Sequence, residues 1–226
     1  MPDVEHEWSS KEYAQEWAAK DKARAAEREA QLQAAVKWLS VSLEGRARVM
    51  DLGSGSGTVA QRLLASFPEM EVICVDASEP MLAMARERLA MFAQRVSFFQ
   101  SDLSQEGWTA ALPKELDAVV SARAIHNLRK LKPIEKVYCG VCDLLRPGGV
   151  FFNIERVNFS TPTLRNYYRQ LRKSETGRLP QLDGPAPSLL QQFHLLKRAR
   201  FRHIDCFWRE GNTAIVGGFK KVDPSS

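Results

Sequence analysis

The 226-residue sequence lacks a long hydrophobic run, and no apolar stretch approaches the roughly 20 residues of a membrane-spanning helix. Its first residues, MPDVEHEW, also lack the basic segment and apolar stretch of a secretory signal. Hydrophobic residues nevertheless make up 44% of the chain, which is enough to fill the core of one domain. We therefore expect residues 1–226 to form a soluble, cytoplasmic, single-domain protein, a monomer or homodimer, with no membrane partner.

Cysteine and histidine are scarce, at four residues each. Cys139 and Cys142 form a CxxC pair, but no second CxxC or paired histidines complete a zinc set. A redox dithiol would open a helix after a strand, whereas this pair lies inside a predicted helix. The sequence therefore predicts packing or surface thiols and no metal site.

The chain does contain a strand that ends in an acid and leads into a glycine-rich loop, RVMDLGSGSGT at residues 48–58. Glycines at the alternate positions Gly53, Gly55 and Gly57 indicate backbone with positive φ, or backbone too close to a ligand for a Cβ. Helical spacing follows, so the loop joins a strand to a helix N-terminus, a common site for polar ligands. A merely tight turn is the alternative.

Three nucleotide sites use such loops, and the sequence separates them. A P-loop requires a Lys after the last glycine, and the dinucleotide fingerprint requires a third glycine where Thr58 stands. Asp51 would also repel a pyrophosphate. This acid suits S-adenosylmethionine, whose sulfonium and ammonium groups can be held by a carboxylate beside open backbone amides.

A second acid follows one helix and one strand later. Residues 71–76, EVICVD, predict a strand buried on both faces that ends in Asp76. An acid at this position can accept both hydroxyls of a ribose, and its distance from Asp51 in sequence fits one helical crossover. The two acids together favour a nucleoside ligand.

The segments DLGSGSG, VDASEPML, SDLS and LLRPGG resemble the successive motifs of class I S-adenosylmethionine-dependent methyltransferases, from about Glu44 to Arg156. The resemblance implies S-adenosylmethionine as methyl donor and S-adenosylhomocysteine as product. It also implies that RPGG, at residues 146–149, is the turn before the fifth strand. The implied cofactor contacts are Asp51, Gly53, Ser54, Gly55, Gly57, Asp76, Ala77, Met81, Ser101, Asp102, Leu103, Ser121 and Ala122.

Changes of hydrophobic period predict strands and helices that alternate, which is typical of a parallel sheet with helices on both faces. We expect a three-layer α/β/α, Rossmann-like fold, mostly parallel, with a C-terminal antiparallel hairpin. The predicted elements cover 9–39, 47–52, 57–66, 72–76, 79–92, 95–100, 116–121, 134–146, 149–155, 202–208 and 213–220. The predicted parts are an N-terminal helical cap (1–43), a cofactor-binding core (44–156), a substrate-cap insertion (157–201) and closing strands (202–221).

Basic charge is concentrated in residues 160–203, which contain nine Lys or Arg and two acids. A helix is predicted to begin at Thr161 and Pro162. Its two faces are an arginine stripe, Arg165, Arg169 and Arg172, and a largely separate apolar side, Leu164, Tyr167, Tyr168 and Leu171. The stripe indicates an anionic acceptor, either a small molecule or RNA, unless it is the solvated face of an ordinary amphipathic helix.

His126, in SARAIHNL after the fourth strand, is the best-placed candidate for a catalytic base. A hydroxyl acceptor must lose a proton, whereas a neutral amine or a carboxylate can attack unaided. Positioning or packing is the other interpretation of His126. The other side chains that we predict to contact the methyl acceptor are Tyr13, Trp17, Arg123, Asn127, Glu155, Arg165 and Arg169.

We therefore predict an S-adenosylmethionine-dependent methyltransferase that acts by in-line transfer on O or N of a small acceptor. Two alternatives stay open. One is a tRNA-modifying enzyme of the same fold, which the segments SARAIHNL and GNTAIVGGFK resemble. The other is a non-catalytic module that binds the cofactor.

Overall fold

A computed structural model describes residues 10–23, 25–180 and 186–222. The α-helices are α1 (Lys11–Ala23), α2 (Ala25–Ser42), α3 (Thr58–Ser66), α4 (Glu79–Arg88), α5 (Leu131–Leu144), α6 (Pro162–Thr176) and α7 (Leu189–Arg198). The strands are β1 (Arg48–Leu52), β2 (Glu71–Asp76), β3 (Val96–Gln100), β4 (Leu116–Ala122), β5 (Leu145–Arg156), β6 (Phe201–Glu210) and β7 (Thr213–Lys220). Two short 3₁₀ helices cover Ala90–Arg95 and Ile125–Leu128.

The strands described form one sheet in the order β3-β2-β1-β4-β5-β7-β6. Strands β1 to β5 pair in parallel, and β7 is inserted antiparallel between β5 and β6. The predicted mostly parallel sheet with a closing antiparallel hairpin is therefore confirmed. Strand order reverses between β1 and β4, and ligands of open α/β sheets bind at such a point, beyond the carboxyl ends of the strands.

The buried side chains fall into two clusters, one on each side of the sheet. Met50 of β1 belongs to the cluster that contains Tyr138 of α5. Its neighbour Val49 belongs to the other cluster, which contains Leu39 of α2 and Leu63 of α3. Successive strand residues point to opposite faces, so both faces of β1 are covered by helices.

Strand β5 begins four residues before the predicted start. Leu145 pairs with Leu116 and Val150 pairs with Ala118, so the four intervening residues of RPGG stand opposite a single residue of β4. Gly148 has a φ of 76°, which an L-residue with a Cβ rarely adopts. RPGG is thus a bulge inside β5, and the expected turn becomes a local irregularity of the strand.

The ends of several helices test the cap predictions. Thr161 caps α6 by accepting a hydrogen bond from Leu164 N–H at 3.2 Å, as the sequence predicts. The first predicted helix begins at Ser9, which lies outside the described residues, and Ser10 accepts a hydrogen bond from Tyr13 N–H at the start of α1. Helix α7 was not predicted, although the capping box of Ser188 and Gln191 is visible in the sequence.

The four cysteines are free thiols, and Cys142 is buried in the core while Cys139 is half-buried. Within the described ranges, no three His, Cys, Asp or Glu side chains are grouped closely enough to hold a metal ion. No helix in these ranges combines the length and the apolar character needed to cross a membrane.

Candidate active site

Four polar side chains lie where the carboxyl ends of the central strands meet. Asp51 lies near the end of β1, Asp76 ends β2, Ser121 lies near the end of β4 and Glu155 near the end of β5. Asp51, Ser121 and Glu155 are almost fully buried, at 0%, 0% and 1% exposure. Buried polar groups at this edge indicate a functional site, since burial of a carboxylate is unfavourable without partners.

Asp51 connects β1 to the helix that follows the glycine loop. Its Oδ2 accepts a hydrogen bond from Ala60 N–H, in the first turn of α3, at 3.0 Å. Its Oδ1 has no hydrogen-bond partner among the described residues. Burial raises the pKa of Asp51 to about 7, although the bond from Ala60 lowers it, and the nearby Asp76 raises it further. A cationic ligand group beside Asp51 would stabilise the charged carboxylate.

The glycine loop approaches the segment after β4 very closely. Gly53 has a φ of 72°, and a Cβ at this position would lie 2.1 Å from the Cβ of Ala124. Gly57 has a different constraint, because a Cβ there would lie 3.1 Å from Leu89 and 3.2 Å from Ala85 of α4. The absence of a Cβ at Gly53 therefore lets the loop pack against Ala124, whereas its absence at Gly57 lets α4 pack against the start of α3.

Asp76 holds the loop from the neighbouring strand. Its Oδ2 accepts a hydrogen bond from Gly55 N–H at 2.8 Å, and its Oδ1 accepts one from Ser78 N–H at 2.9 Å. Burial raises the pKa of this carboxyl, and the backbone hydrogen bonds oppose that rise. A carboxylate offers about four acceptor positions, so the backbone bonds leave acceptor capacity for a hydroxyl donor such as that of a ribose.

Helices α1 and α2 cover the glycine loop. Trp17 of α1 and Arg28 of α2 line a cavity of about 40 Å³ above Ser54, and the Trp17 ring comes within 3.9 Å of the position a Cβ on Gly55 would take. Small-molecule sites usually measure several hundred Å³, so this cavity by itself is smaller than a nucleoside needs. A larger groove of about 690 Å³ lies elsewhere, between residues 105–109 and α5, and none of the groups of the loop line it.

Arg28 was not predicted from the sequence. Its position above the loop depends on how α2 packs, which no local motif records. Burial lowers the pKa of Arg28 to about 10, and the neighbouring guanidiniums of Arg123 and Arg88 lower it further. Three cations around one loop end would be stabilised by an anionic group, such as a carboxylate.

His126 and Glu155 form a pair on the other side of the β4 end. His126 Nδ1 lies 2.7 Å from Glu155 Oε1, and the backbone N–H of His126 donates to Glu155 Oε2 at 3.0 Å. The backbone N–H of Arg156 also donates to Oε1, at 2.7 Å. With a carboxylate as the acceptor, Nδ1 carries the proton and Nε2 of the neutral ring keeps its lone pair. The imidazole is 24% exposed, so its site is open to a ligand.

Comparison with known proteins supports the methyltransferase prediction. Residues 49–149 match the family model described as a methyltransferase domain. The chain is 25% identical over 191 residues to the carboxy-S-adenosyl-L-methionine synthase of Nautilia profundicola, with 79% of each chain covered. It is 28% identical over 177 residues to the ubiquinone/menaquinone biosynthesis C-methyltransferase UbiE of Syntrophotalea carbinolica, with 73% of this chain and 72% of the relative covered. These matches and the solved structures support a class I S-adenosylmethionine-dependent methyltransferase.

Solved structures of other methyltransferases share the fold. Human N-acetylserotonin methyltransferase, solved in complex with S-adenosylmethionine, superposes with a TM-score of 0.69 at 18% identity. That superposition covers 99% of this chain and 61% of the human one. An O-methyltransferase family protein from Burkholderia thailandensis gives a TM-score of 0.66 at 19% identity, over 91% of this chain and 59% of the other. The chain therefore spans about three fifths of these two larger proteins.

Five further predicted cofactor contacts of the methyltransferase lie after the ends of β2 and β3. Ser101 donates its hydroxyl to Trp108 O at 2.8 Å, and Leu103 is half-buried. Asp102 is exposed, and its Oδ1 accepts from Ser104 N–H at 2.8 Å. Partial burial acts to raise the pKa of Asp102, but this bond and others from Ser104 and Gln105 lower it overall. Ala77 is exposed, whereas Met81 is 1% exposed.

The remaining two predicted cofactor contacts, Ser121 and Ala122, lie at the end of β4. Ser121 is buried and donates its hydroxyl to Leu52 O at 2.8 Å, while Ala122 is half-buried and lines the cavity above the loop. Ser121 thus ties β4 to β1, directly below the loop.

The residues predicted to contact the acceptor do not form one group. Glu155 is the clearest correction, because its carboxylate is buried and both oxygens bond to His126, which leaves it inaccessible to an acceptor. Arg123 lines the cavity above the glycine loop. Asn127 is exposed, and Tyr13 and Trp17 are half-buried on α1. Arg165 and Arg169 lie on α6, which has no buried residue.

A buried polar network of this methyltransferase lies behind Glu155. Asn153, two residues earlier on β5, donates its side-chain N–H to Tyr138 Oη at 2.9 Å, and the Tyr138 hydroxyl donates to Gln192 of α7. These three side chains are at most 1% exposed. Burial raises the pKa of Tyr138, so the hydroxyl stays protonated as a donor. The network joins α5, β5 and α7, and the sequence analysis did not predict it.

Proposed function

We propose that this chain transfers the methyl group of S-adenosylmethionine to a hydroxyl oxygen of a small acceptor, with His126 as the general base. The single observation that carries the proposal is the His126–Glu155 pair. A buried carboxylate that holds Nδ1 and the backbone N–H of the same histidine fixes the ring in the tautomer with a basic Nε2. That arrangement suits a hydroxyl acceptor, whose proton must be removed as the new bond forms.

The cofactor side of the proposal uses residues of the glycine loop and its neighbours. Asp51 would hold the ammonium group of the methionine moiety, since its Oδ1 has no partner within the described ranges. Asp76 would accept the ribose hydroxyls with its remaining lone pairs. Arg28 and Arg123 would hold the carboxylate, because an anion relieves the repulsion between their guanidiniums. The bound cofactor supplies the electrophilic methyl group.

The chain itself has to align the acceptor and exclude water. Methyl transfer is an in-line displacement, which requires the attacking oxygen within roughly 3 to 3.5 Å of the methyl carbon. Tyr13 and Trp17, half-buried on α1, and the exposed Asn127 are proposed to border the acceptor. Movement of α1 and α2 would then couple entry of the cofactor to assembly of the acceptor site.

The proposal is tested with His126→Ala and the matched control His194→Ala. His194 lies exposed on α7, so its replacement leaves the site unchanged. Acceptors are found first by measuring S-adenosylhomocysteine production against pools of hydroxyl-bearing and amine-bearing metabolites. With the acceptor identified, His126→Ala is expected to lower the rate by about 10² to 10⁴, the usual contribution of general base catalysis. Its affinity for S-adenosylhomocysteine should match that of the control.

Glu155→Gln gives a second, independent test. The amide offers a donor where the carboxylate accepted, which weakens the bond to Nδ1–H and changes the preferred tautomer. We expect a smaller loss of rate than for His126→Ala and a shifted pH profile. An acceptor whose methylation is unaffected by His126→Ala, as expected for an unaided amine, would contradict the hydroxyl proposal.

A further inference from the structure

Helix α6 has its apolar residues on the side that faces away from the protein. Leu164 is 50% exposed, Tyr167 70% and Leu171 54%. These three lie at i, i+3 and i+7 and therefore form one stripe along the helix. In a helix that packs on a core, by contrast, the apolar stripe faces inward.

The basic side of α6 is the better covered side. Arg165, Arg169 and Arg172 are each half-buried, together with Tyr168. They occupy i, i+4 and i+7, so the arginine stripe runs beside the apolar stripe and is turned towards the protein. The arginine stripe is therefore less exposed than the three apolar side chains beside it.

Helix α6 is held at the edge of the sheet where the active-site residues lie. The ring of Tyr168 stacks on Phe159 at 5.2 Å, and the Arg209 guanidinium lies 5.4 Å from the Phe159 ring centre. Tyr168 also contacts the turn between β6 and β7 at Gly211. That turn is next to the end of β5, because Arg156 pairs with Thr213. Tyr168 therefore holds α6 against the protein, while the apolar stripe of the helix remains exposed.

Charge narrows the choice of a partner for this stripe. Helix α6 carries Arg165, Arg169, Arg172 and Lys173 against the single acid Glu175. A second copy of the chain docked through the same stripe would bring two cationic surfaces together, which like-charge repulsion opposes. Single-stranded RNA would use the arginines and Tyr167 but gives no role to Leu164 and Leu171. A phospholipid surface with anionic headgroups uses both the apolar stripe and the charge.

We propose that the outward stripe of α6, Leu164, Tyr167 and Leu171, docks on an anionic phospholipid surface as an interfacial helix. The apolar side chains enter the boundary between headgroups and acyl chains, and the exposed side chains of Lys173 and Arg178 extend to the phosphates. The chain then lies on the membrane without spanning it, which revises the expectation of no membrane partner. The proposal does not depend on the identity of the methyl acceptor.

The test uses the whole chain and sedimentation with vesicles. One set contains phosphatidylcholine and phosphatidylglycerol in equal parts, and the other contains phosphatidylcholine alone. We expect binding to the anionic vesicles that weakens as salt is raised, because surface charge is screened. The double variant Leu164→Ser with Leu171→Ser should bind about 100-fold more weakly, at about tenfold for each leucine removed from water on docking.

Two further variants keep the test specific. Met91→Ser is the matched control, since Met91 is 80% exposed and precedes β3, at the edge of the sheet opposite to β6. Its vesicle binding should equal that of the unchanged chain. Lys173→Gln with Arg178→Gln should weaken binding to anionic vesicles by several-fold for each charge.

Circular dichroism and affinity for S-adenosylhomocysteine show whether each variant is folded. The proposal is overturned if the unchanged chain does not sediment with anionic vesicles at low salt, or if the leucine variant sediments as well as Met91→Ser. It is also overturned if analytical ultracentrifugation shows a dimer that the leucine changes dissociate. Binding of single-stranded RNA that the leucine changes reduce, with no vesicle binding, would assign the stripe to RNA and overturn the lipid proposal.

Discussion

The charged carboxylate of Asp51 is predicted to lower the stability of the folded protein in the absence of ligand. The variant Asp51→Asn should show by how much, as a change in the free energy of unfolding. The carboxyl is fully buried, which raises its pKa from the ordinary 3.8 to about 7. At 1.36 kcal/mol for each pKa unit, the charged form costs about 4 kcal/mol of folding free energy. Asparagine is similar in shape and is never charged, so the variant avoids this cost.

The sign of the effect follows from where the proton is bound. The folded state keeps the Asp51 proton to higher pH than the unfolded state does, so the cost is absent below the ordinary pKa of 3.8. It grows as the pH rises and becomes constant above about 7. We therefore expect the stability of Asp51→Asn, relative to the unchanged chain, to rise by about 2 to 3 kcal/mol between about pH 5 and about pH 8.

Urea unfolding at the two pH values measures this difference. Comparison across pH cancels any change of packing or hydrogen bonding that the amide introduces at both pH values. Asp205→Asn is the control, because Asp205 is an exposed aspartate on β6. Calorimetry should show weaker binding of S-adenosylmethionine to Asp51→Asn, since a neutral amide cannot pair with the ammonium group. A stability difference that stays constant with pH would refute the buried, proton-binding role of Asp51.

Three more substitutions test the site. Gly53→Ala should lower the free energy of unfolding by about 3 kcal/mol in urea, against about 1 kcal/mol for Gly45→Ala. Both glycines have positive φ, but only Gly53 lies against Ala124. Equal losses for the two variants would contradict this reasoning. Asp76→Ala should weaken binding of S-adenosylhomocysteine about 100-fold in calorimetry, and unchanged affinity would exclude the ribose role. Tyr138→Phe should cost about 2 kcal/mol of unfolding free energy, because buried polar partners lose their bonds, and a neutral result would exclude the network.

The sequence determined the parts of the fold that depend on local pattern. Alternating apolar segments predicted the strands because each strand of a parallel sheet is buried on both faces. The glycine loop and the acids Asp51 and Asp76 were predicted because strand ends and helix starts fix their places along the chain. The helix start at Thr161 followed from capping, which involves groups only three residues apart.

The tertiary structure alone decided the contacts between segments distant in sequence. Glu155 was predicted beside the acceptor, and only the pairing of β4 with β5 brings it under His126, 29 residues earlier. Arg28 reaches the glycine loop because α2 packs over it, and the outward direction of Leu164 on α6 depends on the anchor between Tyr168 and Phe159. Periodicity shows that a helix has two faces, but which face meets the protein is set by partners elsewhere in the chain.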